Sequence, residues 1–305
     1  MVAEPLVRVQ CAVCAGEERE LLCSAAEVCV QLEYLHRFHR RRLRATAAHT
    51  LADRADFTQD YATDIVACAA CGLVFRSPRP PDDAIARAYA QDQYGRERLD
   101  ALFEAQVELY RPKARALRRR LPAGARVIEV GSFVGGFLAA GREQGWEMLG
   151  VDPGREVDTF CAERGLPVFS GTLPQLGSEQ LPVGWQPGSV DCVAVWNAFD
   201  QLPHPEPTLR AARRLLRPGG LLALRVPNGE CFRLATRRMR QLPKPAAGWL
   251  RALLAWNNLL AFPYLYGYSV RTLDWLLSWP GFRRVDRRAD TLCRLSDELT
   301  RPWAA

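Results

Sequence analysis

Lysine is almost missing from this chain: of 41 basic residues only Lys113 and Lys244 are not arginine. The net charge of +7 therefore fits a compositional bias toward arginine and does not by itself point to phosphate contacts. Also missing is a basic stretch leading into an apolar one over Met1 to Pro5, so no secretory leader is expected and a cytoplasmic location follows. In a reducing compartment the ten cysteines are expected to be metal ligands or small buried apolar residues, not disulfides. No internal repeat and no low-complexity tract is present. The 19 residues from Ala252 to Val270 lack charge, but Asn257, Asn258, Pro263 and Gly267 interrupt them, so no membrane span is expected.

What is present is more specific. A length of 305 residues with 48% hydrophobic content is enough for about two domains with buried cores. Near the start stand two Cys-X-X-Cys pairs, Cys11/Cys14 and Cys68/Cys71, the second followed by Gly72-Leu-Val-Phe75. A glycine just after the second cysteine lets the backbone turn so that both sulfurs face one ion. Two such pairs make a closed four-sulfur site with no open position, so the expected metal is a structural Zn2+ held by Cys11, Cys14, Cys68 and Cys71. The 53 residues between the pairs exceed the usual spacing, and Cys23 and Cys29 are alternative ligands. Between the pairs, Leu32, Leu35 and Phe38 at helical spacing predict an inserted helix over Glu27 to Arg44 with a basic end. Cys161, Cys192, Cys231 and Cys293 lie in apolar text and are expected in the core.

Ser77-Pro-Arg-Pro-Pro81 reads as a stiff linker, and Asp82 or Asp83 can cap a helix running through Ala84 to Tyr89. Leu99, Leu102, Phe103 and Leu109 mark another helix over residues 97–120, with Pro112 as a kink or restart. From Ala125 onward short apolar runs alternate with helical ones. Strands are predicted at Arg126–Val130, Glu147–Val151, Pro167–Phe169, Val190–Val195, Leu221–Val226 and Phe282–Arg287. Helices are predicted at Gly136–Gln144, Glu156–Arg164, Pro207–Leu216 and Val270–Leu277. The alternation predicts an α/β fold, a Rossmann-like doubly wound, mostly parallel sheet with a small N-terminal zinc-binding module. The expected division is residues 1–76 for the module, 77–122 for a linker and helical segment, and 123–305 for the sheet domain.

In such a sheet a ligand lies beyond the carboxyl ends of the strands, at a glycine-rich first turn. Here the turn reads Gly131-Ser-Phe-Val-Gly135, with Phe133 where a dinucleotide fingerprint has its middle glycine. Glu129 precedes it by two residues, and Asp152 ends the second strand. A carboxylate at that second position accepts both hydroxyls of a ribose, a demand shared by NAD and S-adenosylmethionine. A nucleoside ligand without phosphates tolerates one large residue in the turn.

Val127 to Phe137, Gly150-Val-Asp-Pro153, Asp191 to Trp196 and Leu215-Leu-Arg-Pro-Gly-Gly-Leu-Leu222 resemble successive motifs of class I S-adenosylmethionine-dependent methyltransferases. The whole chain is also similar to bacterial methyltransferases carrying an N-terminal Cys-X-X-Cys…Cys-X-X-Cys-Gly-Leu-Val-Phe module. Carried over residue by residue, the resemblance implies that Glu129, Gly131 and Gly135 surround the methionine portion and that Asp152 holds the ribose. It implies Thr172 and Leu173 near the adenine, Trp196 and Asn197 beside the sulfonium, and Tyr89 and Tyr94 as aromatics that can cover the cofactor. It also implies a small-molecule acceptor with an oxygen or carbon nucleophile, a sugar or polysaccharide precursor.

Methyl transfer is an in-line displacement, so the protein aligns a nucleophile and, for a hydroxyl or carbon acid, removes its proton. The loop after the fourth strand reads Trp196-Asn-Ala-Phe-Asp-Gln-Leu-Pro-His-Pro205, with Asp200-Gln201 where the related enzymes commonly carry Glu-His. Glutamine takes no proton at neutral pH, so either Asp200 or His204 has taken over as the base, or the substrate needs no strong base, or activity is lost. Phe262 to Tyr268 is a further aromatic run that either walls an acceptor site or packs as core. Two rivals stand beside this reading. One is an RNA methyltransferase gripping nucleic acid through the module and Arg40 to Arg42, although nucleic acid is not the expected partner; the other is a non-catalytic protein that binds an adenosine ligand. The acceptor atom and the oligomeric state are not fixed by the sequence.

Overall fold

The computed structural model describes residues 5–42, 63–91, 94–178, 181–255 and 265–288. In chain order the elements begin with β1 (Arg19–Cys23), α1 (Ala25–Arg42), β2 (Ile65–Cys68), β3 (Val74–Arg76), α2 (Asp82–Gln91) and α3 (Arg96–Leu117). There follow β4 (Arg126–Val130), α4 (Gly136–Arg142), β5 (Glu147–Asp152), α5 (Arg155–Glu163), β6 (Val168–Ser170), α6 (Leu173–Ser178), β7 (Val190–Trp196) and a single 3-10 turn, Phe199–Gln201. The last are α7 (Pro205–Leu215), β8 (Leu216–Arg225), α8 (Gly229–Gln241), α9 (Lys244–Ala255), β9 (Tyr266–Gly267) and α10 (Val270–Ser278).

The chain separates into two units, one of residues 1–81, 227–276 and 283–305, the other of 82–226 and 277–282. In the second unit five strands form a wholly parallel sheet in the order β6-β5-β4-β7-β8. Val127, Ile128, Leu149, Val151, Val193 and Val195 are all buried, the near-continuous apolar text that a sheet covered on both faces requires. Helices make the crossovers, as parallel neighbours demand. The sheet grows from β4 to β5 and β6 on one side and to β7 and β8 on the other, so the direction of winding reverses beside β4. In an open sheet of this kind such a reversal, at the carboxyl ends of the strands, is where a ligand is expected to bind. α3 continues through Pro112 without a break.

In the first unit an antiparallel sheet of order β1-β2-β3-β9 carries α1 on one face. Val28, Leu32, Leu35 and Phe38 of α1 join Leu22, Ile65, Ala67 and Val74 of the strands, with Phe232 and Leu254, in one buried cluster. The inserted helix expected from Leu32, Leu35 and Phe38 is therefore present, and its apolar stripe explains why it packs there. β9 pairs with β3 across nearly two hundred residues, Val74 opposite Gly267, which draws residues 227–276 into this unit.

Several expectations differ from what is observed. Phe282–Arg287 forms no strand; five of its six residues are exposed, and among the described residues no strand pairs with it. Cys161 and Cys192 are buried as expected, but Cys231 is exposed, because Phe232 takes the inward side of the first turn of α8. Leu43, Cys293, Phe262 and Tyr264, and the side chains of His39 and Arg40 to Arg42, lie outside the described residues.

Candidate cofactor and acceptor site

The turn after β4 is built from backbone that only a few residues tolerate. Gly131 has φ +71° and Gly135 φ +78°, the left-handed region that costs other L-residues about 1–2 kcal/mol. At Gly131 an added Cβ would come within 2.5 Å of the Ala198 side chain. The loop after β7 therefore sits directly against the glycine turn, and glycine is needed there for space as well as for φ. Phe133, in place of a middle glycine, also has positive φ, +45°. Its ring meets Tyr94 edge to face at 5.0 Å, and its backbone N–H donates to Asp152 Oδ2 at 2.9 Å.

Asp152 is 9% exposed and its other oxygen accepts from Gly154 N at 2.9 Å. Burial raises its pKa, and the two amide donors lower it. Each oxygen spends one acceptor position on a backbone amide and keeps another, as a carboxylate can. Glu129, in β4, is buried, and its Oε2 has no hydrogen-bond partner. Burial pushes the Glu129 carboxyl well above the usual carboxylate range, with the Asp152 charge adding to it. The Ser132 hydroxyl is also buried without a partner. A buried acceptor left open costs free energy unless something supplies a donor, so the turn presents unmet polar capacity.

At the end of β6, Gly171 N donates to Asp152 O, which brings that strand's end beside the aspartate. Thr172 caps α6 through Gln175, its N–H and hydroxyl both donating to Gln175 Oε1, and Leu173 is buried. Tyr94 is held by its backbone N–H, which donates to Glu156 Oε2 at 2.7 Å. Trp196 packs on Phe137 at 5.3 Å and Tyr110 at 6.4 Å, with its indole N–H unpartnered. Asn197 has φ +56°; its side-chain oxygen accepts from Arg225.

The two expected bases are placed very differently. Asp200 is fully buried in the 3-10 turn, neither carboxylate oxygen has a partner, and burial raises its pKa to about 8. His204 is exposed, and its Nε2 lies 2.6 Å from Asp82 Oδ2 at the start of α2. Gln201, which stands where the resemblance would put a histidine, is a connector: its Oε1 accepts from the Tyr89 hydroxyl at 2.6 Å and its amide N donates to Asn197 O. Neither Gln201 in this role nor Ala198 against Gly131 has any local signal in the sequence, because both depend on contacts across long chain separations.

In the first unit the sulfurs of Cys11, Cys14, Cys68 and Cys71 all lie within 4.8 Å of one another. The closest pairs are Cys11–Cys71 at 3.4 Å and Cys14–Cys68 at 3.5 Å. Zn–S bonds of ~2.3 Å in a tetrahedron would place sulfurs about 3.8 Å apart, so the cluster fits such an ion. Gly16 closes it: a Cβ there would come within 3.3 Å of both Cys14 and Cys68 Sγ. Contact with Cys71, then burial, raises the Cys11 thiol pKa, and burial raises that of Cys14. Cys23 and Cys29 are not part of the cluster.

A profile of the family described as "Methyltransferase domain" matches residues 103–286, more than half of the chain. Over 148 residues the chain is 30% identical to a protein named ubiquinone biosynthesis O-methyltransferase from Xanthomonas oryzae pv. oryzae (strain PXO99A), covering 42% of this chain and 62% of that protein. It is 30% identical over 102 residues to one of the same name from Methylococcus capsulatus, covering 32% of this chain and 41% of that protein. The chain thus spans less than two thirds of the length of these relatives. Among solved structures, a methyltransferase from Thermotoga maritima described as a possible histamine N-methyltransferase aligns with a TM-score of 0.41 at 19% identity, over 62% of this chain and 77% of that one. A methyltransferase from Archaeoglobus fulgidus aligns with a TM-score of 0.41 at 16% identity, over 59% and 71%.

Proposed function

The chain belongs to the methyltransferase-domain family, and on that premise we propose that it transfers the methyl group of S-adenosylmethionine to an oxygen nucleophile on a small molecule. The observation that carries the reading is the Glu129 oxygen left open beside the Gly131–Gly135 turn. A carboxyl group with an unmet acceptor oxygen, buried next to Asp152, suits a cationic amino group, whose charge would favour its ionised form, and the α-ammonium of the methionine portion is such a group. Asp152 has acceptor positions left for the two ribose hydroxyls, Gly131 and Gly135 let the backbone come close, and Trp196, Tyr94 and Phe133 supply aromatic surface.

When bound, the cofactor supplies an electrophilic methyl group on a sulfonium. The chain's own part is to orient the acceptor, exclude water and take a proton. Asp200 is the proton acceptor in this reading, because it is shielded from water and has no competing partner, whereas His204 is engaged at the surface by Asp82. With a pKa near 8, Asp200 is mostly protonated at neutral pH and becomes a base as the pH rises. Gln201 is a positioning residue that ties Tyr89 to Asn197.

The oxygen assignment draws on the relatives' printed names; a sugar or polysaccharide precursor draws no support from them. The four-cysteine cluster we assign to a structural zinc ion, with the sulfur spacing as its support. The test of methyl transfer is to incubate the protein and methyl-labelled S-adenosylmethionine with a fractionated small-molecule extract. Label should pass to a small-molecule fraction and give an ether-type product by mass spectrometry. Label confined to RNA, or to no product, contradicts the reading.

A further inference from the structure

Residues 231–270 contain six cations, Arg233, Arg237, Arg238, Arg240, Lys244 and Arg251, and no aspartate or glutamate. Within this stretch α9 places apolar residues on two opposite sides. Leu254 and Ala255, with Leu250 in part, pack into the core of their unit. Pro245, Ala246, Trp249 and Leu253 face outward, and Trp249 is 75% exposed. Ala246, Trp249 and Leu253 are spaced by three and four residues, so they share one stripe. A helix at a protein surface normally turns polar residues outward, and α9 does the reverse.

The cations nearby divide into engaged and available. Arg237 pairs with Glu20 and Arg240 with Glu27, and the Arg251 guanidinium lies over the Tyr34 ring. The Arg238 guanidinium donates to Gln241 Oε1, and among the described residues neither it nor Lys244 has a carboxylate partner. An apolar stripe centred on tryptophan, flanked by uncommitted cations in a stretch without acids, has the chemistry of an element that lies in a bilayer interface.

We propose that α9 is a membrane-surface element whose outer stripe enters the headgroup boundary of an anionic bilayer, with Arg238 and Lys244 on lipid phosphates. α9 has 12 residues, against the ~20 needed to cross hydrocarbon, and no described helix is long and apolar enough to span. The helix therefore lies on the membrane. Nucleic acid fits less well, because the centre of the stripe offers Trp249 and Leu253 with no polar group to read a base edge. The inference does not depend on methyl transfer.

The experiment is co-sedimentation of the full chain with vesicles of phosphatidylcholine alone and with about a third phosphatidylglycerol. The chain should bind the anionic vesicles, release them at high salt, and bind the neutral ones weakly. Lys244→Gln should weaken binding to anionic vesicles about fivefold, the loss of one interfacial cation, and leave binding to neutral vesicles unchanged. Trp249→Ser and, separately, Leu253→Ser should each weaken binding by at least about fivefold. Their thermal melts should match the parent, since both side chains are exposed. No binding to anionic vesicles, or full binding by Trp249→Ser, overturns the proposal. So does a concentration-dependent dimer that Trp249→Ser dissolves, which would make the stripe a contact between copies. Loss of vesicle binding leaves the labelled-methyl assay untouched, so the two readings fail separately.

Discussion

Asp200 has no partner at either oxygen and no exposure, an expensive place for a charge. Its pKa is raised from the ordinary aspartate value to about 8, so the folded state holds a proton that the unfolded chain releases near pH 4. Stability from this group is therefore greatest below pH 4 and falls as the pH rises through 8. Asp200→Asn should raise the melting temperature more at pH 8.5 than at pH 5, and it should abolish the rise in methyl transfer between pH 6 and 8. Melting curves and rate profiles at the two ends check this. A variant that melts identically to the parent at both pH values would show that Asp200 titrates in the fold as it does in the unfolded chain, charged at both, and would contradict the raised pKa. That an aspartate stands after β7 is legible in the sequence; its burial is a property of the fold around it and has no local signal. His204 shows the converse. Its place between two prolines favours a surface loop residue over a base, and the exposed position beside Asp82 comes from the fold alone.

At the scale of elements, β4, β5, β6 and β7 were legible as short apolar runs beside glycine or proline, and β4, β5 and β7 lie within one residue of their expected ends; β8 begins at Leu216, five residues before its expected start, because its pairing with β7 reaches back past Pro218 and two glycines. The antiparallel sheet was not. β1 is Arg-Glu-Leu-Leu-Cys, β3 has three residues and β9 two, too short for a period-two pattern, and β9 exists only because β3 pairs with it. Phe282–Arg287 suggested a strand but has no strand partner among the described residues. The glycine turn makes a prediction at this scale. Gly131→Ala adds a clash with Ala198 to its backbone strain and should cost about 2–5 kcal/mol. Gly124→Ala, at φ +75° with nothing within 4 Å of its Cβ, should cost only about 1–2 kcal/mol. Urea denaturation of the pair measures the difference. Equal losses would mean that the loop after β7 does not rest on the turn.

For the molecule as a whole, the first unit carries the cysteine cluster and the second carries the glycine turn, so metal and cofactor are predicted to act separately on stability. Four thiolates on one zinc would contribute ~10–16 kcal/mol to folding at pH 7. The purified chain should therefore contain about one zinc ion per molecule. A strong chelator should lower the melting of the first unit while S-adenosylmethionine binding by the second is retained. Elemental analysis with no zinc, or melting indifferent to the chelator, contradicts the assignment. The two cysteine pairs announced this site from sequence alone, and the fold adds the reason that the 53 intervening residues do not prevent it: β1 pairs with β2, which brings the two knuckles together.

Cofactor binding is the claim on which the rest depends, and titration calorimetry of S-adenosylmethionine into the parent chain and Asp152→Ala tests it most directly. The parent should bind one equivalent per chain and the variant at least about a hundredfold more weakly, about the loss of two charge-assisted hydrogen bonds to the ribose. Equal affinity in the two proteins, or no heat of binding in the parent, would contradict the claim.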